Sequence, residues 1–299
     1  MVADWVSDLR SAAMRIRRQA FEVCARHNGG YLVQACGSAD ILAALYLRLM
    51  DLGASSGPLQ PARFEGVPKP NMDGQWGGVY NGDRDRFFLS PAHYALALYA
   101  TLIEAGRLAK DALDGANDDG STLESIGGEH SPGFESTSGS LAQALSVAVG
   151  TALARKRLGR AGHVWALISD GELEEGQTWE ALSVASNFKL DNLTVLLDAN
   201  GLQVDGWVRD VTTVEPIVDK VRAFGFKVVE VDGHDPAAIV EAATSGEPGR
   251  PLFVACRTKP TFGIESIEGR HQLHYIRFRP GEIEIARTSL DLADQRVLA

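Results

Sequence analysis

The stretch VWALISDGELEEGQTWEALSVASNFKLDNLTVLLDANGLQVDG, residues 164–206, decides the fold. Val164 to Ile168 and Leu193 to Leu197 are short apolar runs of the buried-strand type, and the residues between them have amphipathic helical spacing. Strand, helix and strand in that order make one βαβ unit with parallel strands, so both strands end on the same edge of a sheet. Ligands bind outside such carboxyl ends. Asp170 and Asn200 stand just past the two ends, about thirty residues apart in sequence and expected to be neighbours in space. One carboxylate and one amide oxygen suit a hard cation such as magnesium, which takes few protein oxygens and completes its shell with water and phosphates. Gly171, lacking a side chain, would let a diphosphate approach the backbone and the N-terminus of the following helix.

These residues resemble the thiamine diphosphate signature of transketolases, in which a Gly-Asp-Gly turn is followed about thirty residues later by Asn and then Gly-Leu-Gln-x-Asp-Gly. Ser169 replaces the first Gly; Glu175, Gly176, Trp179 and Glu180 also fall at family positions. The resemblance implies that Asp170, Asn200 and the main-chain carbonyl of Leu202 hold Mg2+ or another divalent cation. It also implies that Ser169, Gly171, Glu172 and Asn200 contact the cofactor. The fold it implies is α/β, a parallel central sheet flanked by helices, with residues 1–299 forming one diphosphate-binding domain.

Composition bounds the partners. The 299 residues carry a formal charge of −10, which argues against nucleic acid or an anionic membrane, so bound phosphate must be met by a local site. Cys24, Cys36 and Cys256 are widely spaced and odd in number, and read as reduced, buried thiols. The first 26 residues are too charged for a secretory signal and no apolar run reads as a membrane span, so a cytoplasmic location is the default expectation.

Toward the N-terminus, residues 4–26 read as an amphipathic helix whose Arg15, Arg17 and Arg18 form a solvated face, stopped by His27-Asn28-Gly29-Gly30. Ala39 to Met50 reads as a helix, and ADILAALY is close to the transketolase sequence there. The family loop before it, Ser-Gly-His-Pro-Gly-Gly-Ser, carries a histidine that handles substrate oxygens. Ungapped counting puts Tyr31 at that place, with His27 four residues earlier. Tyr31 or Gln34 can hydrogen-bond a hydroxyl, though neither titrates near neutral pH. Residues 53–82, rich in Gly and Pro, read as a flexible loop that covers the site, meets a partner or is simply exposed.

Further along, DRFFLSPAH resembles the family's Asp-Arg-Phe-x-Leu-Ser-x-x-His, which places His93 on a cofactor- and substrate-facing histidine. PGFESTSGSLAQALS resembles a family loop that enters a helix beside the cofactor, making Gly139, Ser140 and Leu141 candidate contacts. Two family glycines are Ala142 and Ala144, a change that favours the helix. A further family histidine falls on Ile126, with His130 four residues on as its substitute.

After Gly206 the sequence reads as a loop with a short helix start, a strand in FKVVEVDGHD, a helix from Pro236 to Ala243, a strand in PLFVACRT and a closing helix over 280–299. Counting from Gly263 gives His274 as the match to the histidine that ends the family's cofactor domain, with His271 as fallback.

The resemblance covers only the diphosphate-binding half of a transketolase, and nothing here matches the pyrimidine-binding half. It therefore implies a split enzyme, a heterotetramer with a C-terminal subunit carrying the pyrimidine domain, with Glu175 and Glu180 sharing protons across the contact. The implied activity is transfer of a two-carbon ketol unit from a ketose to an aldehyde. His93, His274 and His130 are the candidate proton donors, and the Tyr31 replacement marks a non-standard substrate. Decarboxylation of a 2-oxo acid with acyl or acyloin transfer, and a non-catalytic regulatory partner, are the competing expectations.

Overall fold

A computed structural model of the chain describes residues 4–64, 83–270 and 272–298. His271 and the 65–82 part of the Gly/Pro-rich stretch lie outside the described residues, and residues 53–64 carry neither helix nor strand. Five parallel strands form the central sheet: β1 (Arg86–Leu89), β2 (Val164–Ser169), β3 (Leu193–Ala199), β6 (Lys227–Asp232) and β7 (Leu252–Arg257). Their order is β1-β2-β3-β7-β6. The register pairs Ser169 with Asp198, and Asp198 with Cys256. Consequently Ser90, Asp170, Asn200 and Thr258 all follow carboxyl ends on one edge.

Both faces of the sheet are covered, which is why its inner strands read as continuous apolar runs. Along β2 the side chains alternate: Trp165 and Leu167 pack into one core, Val164, Ala166 and Ile168 into the other. The first core is closed by α1 (Asp4–Arg26), α2 (Leu32–Ala44), α3 (Ala95–Glu104), α8 (Pro236–Ala243) and α9 (Glu282–Leu298). The second is closed by α4 (Gln143–Arg157), α5 (Gly176–Asn187) and α7 (Ile217–Ala223). A two-stranded hairpin of β4 (Leu202–Gln203) and β5 (Gly206–Trp207), followed by the short α6 (Val208–Val211), occupies the polar stretch after β3.

Three details depart from the sequence reading. The helix expected from Ala39 begins at Leu32 and its last turn, Leu45–Leu49, is π-helical; every residue from Leu32 to Ala44 is buried. With Val33 and Gln34 in place of family glycines and no proline after Tyr31, nothing breaks a helix there. The span Leu32–Leu49 is long and apolar enough to cross a membrane by composition, correcting the reading that no such run exists; 83% of it is buried inside the protein, as befits a core helix. Finally, Arg17 is not on a solvated face. It is 1% exposed, pairs with Asp40 and donates from Nε to the Cys36 carbonyl at 3.1 Å, so α1 is pinned to α2 through a buried ion pair.

His234, after β6, extends that pair. Its Nε2 accepts from the Lys259 backbone N–H at 2.8 Å, which leaves Nδ1 to donate to Asp40 at 3.1 Å. Burial pushes the Asp40 carboxyl up, but Arg17 and His234 outweigh it and hold the group below its ordinary range.

Candidate active site

Asp170 and Asn200 lie at neighbouring strand ends, as the βαβ unit implies, and line one cavity. Asp170 Oδ1 accepts from the Gly171 N–H at 2.9 Å and Oδ2 from the Gly201 N–H at 2.5 Å, tying the end of β2 to the turn after β3. Burial, with the nearby Asp198 carboxylate, pushes the Asp170 pKa up to about 7. Beyond Asp170 the chain makes a 3-10 turn, Asp170–Glu174, before α5 begins at Gly176 with Glu175 at its N-cap.

Asn200 is held by a network that the sequence reading missed. Its Nδ2 donates to Asp198 Oδ2 at 2.9 Å and to the Tyr94 hydroxyl at 3.1 Å, while Oδ1 accepts from the Leu202 N–H at 2.8 Å. Asp198 also accepts from the Tyr94 hydroxyl at 2.7 Å and from Thr258 Oγ1. Its carboxyl is raised by complete burial, and these donors only partly offset that. The signal was an aspartate inside the otherwise apolar strand LTVLLDA.

Two adjoining cavities share Asn200. Ser169, Gly171 and Leu202 line one of about 300 Å³, together with Tyr31, Gln34, His93, Ile126, Gly139, Leu141, Glu175 and His274. Asp170 lines the other, of about 400 Å³, with Gly201 and Arg257. Open space surrounds the position a side chain would take at Gly139. His93, Tyr31 and His274 form one aromatic corner: ring centroids are 5.2 Å apart for Tyr31–His93, 5.7 Å for Tyr31–His274 and 4.9 Å for His93–His274. Burial, reinforced by His274, drives the His93 pKa down to about 3, and burial lowers that of His274. Both rings are neutral at neutral pH.

Other candidates lie elsewhere. The Glu172 carboxylate is turned into the protein, accepting from Ser90 Oγ, the Ala142 N–H at 2.7 Å and the Ser169 N–H at 2.9 Å. It ties β1, β2 and the α4 entry together, and burial pushes its pKa up to about 7. His130 is outside the cavity lining, bonded to Glu124 at 2.8 Å, whereas Ile126 lines the cavity. His27 is exposed at the end of α1. Ser140 is exposed beside the cavity, and Glu180 is exposed on α5. Ala142, read as favouring the helix, instead sits at its N-cap with φ +68°, a left-handed conformation that suits glycine.

Among the described residues no group of three or more His, Cys, Asp or Glu side chains is placed to hold a metal. The oxygen set of Asp170, Asn200 and a main-chain carbonyl fits a hard cation that shares its shell with phosphate oxygens.

Residues 78–297 match the family model described as transketolase, thiamine diphosphate binding domain. The chain belongs to the transketolase family. An uncharacterised transketolase family protein of Sinorhizobium fredii is 40% identical over 92% of each chain. An apulose-4-phosphate transketolase subunit of Actinobacillus succinogenes is 33% identical over 95% of this chain and 96% of its own. The solved transketolase of Pichia stipitis in complex with sedoheptulose 7-phosphate superposes with a TM-score of 0.79 at 26% identity, over 97% of this chain and 41% of that one. The Leishmania mexicana transketolase gives 0.77 at 26% identity, covering 97% and 45%. This chain thus spans less than half the length of the solved transketolases it matches.

Proposed function

We propose that this chain is the diphosphate- and cation-binding subunit of a thiamine diphosphate-dependent enzyme that transfers a two-carbon ketol unit from a ketose donor to an aldehyde acceptor. The observation that carries the reading is the Asp170–Asn200 pair at adjacent strand ends, beside a cavity lined by Gly139 and Gly171. Asp170, the Asn200 side-chain oxygen and the Leu202 carbonyl would hold Mg2+ or a similar cation against the cofactor diphosphate. When bound, the cofactor supplies the nucleophilic carbon that takes up the two-carbon unit. The chain itself orients the diphosphate, excludes water with Val33, Leu141 and Leu202, and presents His93 and His274 as neutral rings able to exchange a proton with a substrate oxygen.

A second chain supplies the pyrimidine-binding half, in a dimer of such pairs. Relatives that this chain matches over nearly their whole length are named as subunits, which supports that division. Glu175 and Glu180, both exposed, are available to the contact. The substrate is non-standard: Tyr31 and Ile126 stand in the wall at two positions where the resemblance implies histidines. Relatives are named for apulose 4-phosphate and 6-deoxy-6-sulfo-D-fructose. Among the described residues the wall of the first cavity has Glu174, Glu175 and Asp205 but neither Lys nor Arg.

Calorimetric titration of thiamine diphosphate with Mg2+ tests this, on the chain alone and with the pyrimidine-domain chain that co-purifies with it. Binding that appears or tightens at least tenfold in the mixture is expected. No heat in either sample would overturn the reading.

A further inference from the structure

Gln34 is 2% exposed and sits in the first turn of α2, where Ser38 Oγ donates to its carbonyl at 2.7 Å. Its Nε2 lies 3.0 Å from the main-chain carbonyl of His274 and 3.3 Å from Nδ1 of the same histidine. A carbonyl oxygen only accepts, so that end of the amide must be the NH2 group. The second amide hydrogen then faces Nδ1, which must be the unprotonated ring nitrogen; an N–H there would confront another donor. Because burial keeps the imidazole neutral, its single proton is left on Nε2. We propose that Gln34 is a positioning residue that locks His274 into the tautomer with its proton on Nε2, on a ring that lines the cavity.

Two further observations point the same way. Gln34 Oε1 is buried with no hydrogen-bond partner among the described residues. An unpaired buried acceptor costs about 1–3 kcal/mol, so an apolar side chain of the same length would suit this packing better unless the two donors were needed. The backbone registers the pair as well: Gly30 N–H donates to the Ile276 carbonyl at 3.2 Å, and Ile276 N–H to the Gly30 carbonyl at 2.9 Å. This bridge holds the start of α2 against the His274 segment. On its other side Gly30 packs on α1, where a side chain would put Cβ 2.5 Å from Cys24 Sγ.

The tautomer stands on this geometry alone; its use in proton transfer rests on the function proposed above, and the test separates the two. Two-bond 15N–1H correlation spectra of the histidine-labelled chain, with His274→Gln to assign the signal, distinguish a ring protonated at Nε2 from one protonated at Nδ1. The expected result at pH 7 is a single Nε2–H form, which becomes a mixture of tautomers in Gln34→Met and Gln34→Leu. A wild-type His274 protonated at Nδ1, or a tautomer unchanged in both folded variants, would overturn the proposal. In the reconstituted complex, Gln34→Met should lower kcat about tenfold with KM within twofold. Full activity of His274→Gln beside the expected spectra would leave the tautomer standing and refute the function assigned to the histidine.

Discussion

The Nδ2 amide of Asn200 donates to Oδ2 of Asp198 at 2.9 Å. Since a carboxylate only accepts, this contact turns the nitrogen end of Asn200 inward and leaves its oxygen end on the side of the Leu202 N–H. Asp198 thus orients a proposed cation ligand without touching the cation. Asp198→Asn is expected to weaken Mg2+-dependent cofactor binding 10–100-fold, as loss of a supporting partner typically does. Leaving Tyr94 or Thr258 without its acceptor should also cost about 1–3 kcal/mol of stability. Calorimetry and urea unfolding of the same variant measure the two effects.

Tyr31 places an aromatic ring 5.2 Å from His93 where a transketolase-like loop would bring an imidazole. Tyr31→His is expected to raise kcat/KM for pentose phosphate ketoses at least tenfold in the reconstituted complex, with cofactor affinity within twofold. An equal rate in wild type and variant would show that this position does not select the donor.

Breaking the buried pair between Arg17 and Asp40 strands a charge that has almost no access to water. Asp40→Ala should destabilise the chain by about 3–5 kcal/mol in urea unfolding. Replacing both residues by apolar ones of similar volume should recover most of that loss.

His163 sets a stability dependence on pH. Burial lowers its pKa to about 4, only partly offset by Asp85 and Asp191, and its Nε2 lies 2.8 Å from Thr194 Oγ1. A folded value below the unfolded one, roughly 6.5, means that the unfolded chain takes up the proton first as pH falls. Its contribution is therefore present above about pH 6.5 and lost as pH drops toward 4, by about 2 kcal/mol at pH 5. Urea titrations at pH 7 and pH 5 should show that extra loss in wild type and not in His163→Gln.

At Ala142 the left-handed φ of +68° imposes strain that glycine would not feel. Ala142→Gly is expected to stabilise the chain by about 0.5–1 kcal/mol after the greater flexibility of unfolded glycine is subtracted. Thermal unfolding measures it directly.

Local patterns carried much of this structure into view. The apolar runs of β2 and β3 with the helical spacing between them located the sheet edge, and Asp170 and Asn200 followed from it. Missing from the sequence were relations that only packing creates. Arg17 looks like a surface charge until Asp40 and His234 surround it. The Glu172 carboxylate, next but one to Asp170 in sequence, gives no local sign that it is spent on Ala142 and Ser90. His130 is near Ile126 in sequence, yet the chain turns it toward Glu124. Asp198 was the one legible clue not used, because a charge in a wholly buried strand must be met by donors.

The bridge between Gly30 and Ile276 also has a meaning in time. Gln34 and His274 are 240 residues apart, and at 5–20 residues per second a ribosome needs roughly 10–50 s to pass from one to the other. Tyr31 and Gln34 are translated early, and the His274 that packs against them in the same corner of the cavity is translated long afterwards. A nascent chain therefore has Asp170 and Asn200 in hand well before His274 arrives to complete this corner of the cavity, and cofactor capture waits on a residue made about 70 positions after Asn200.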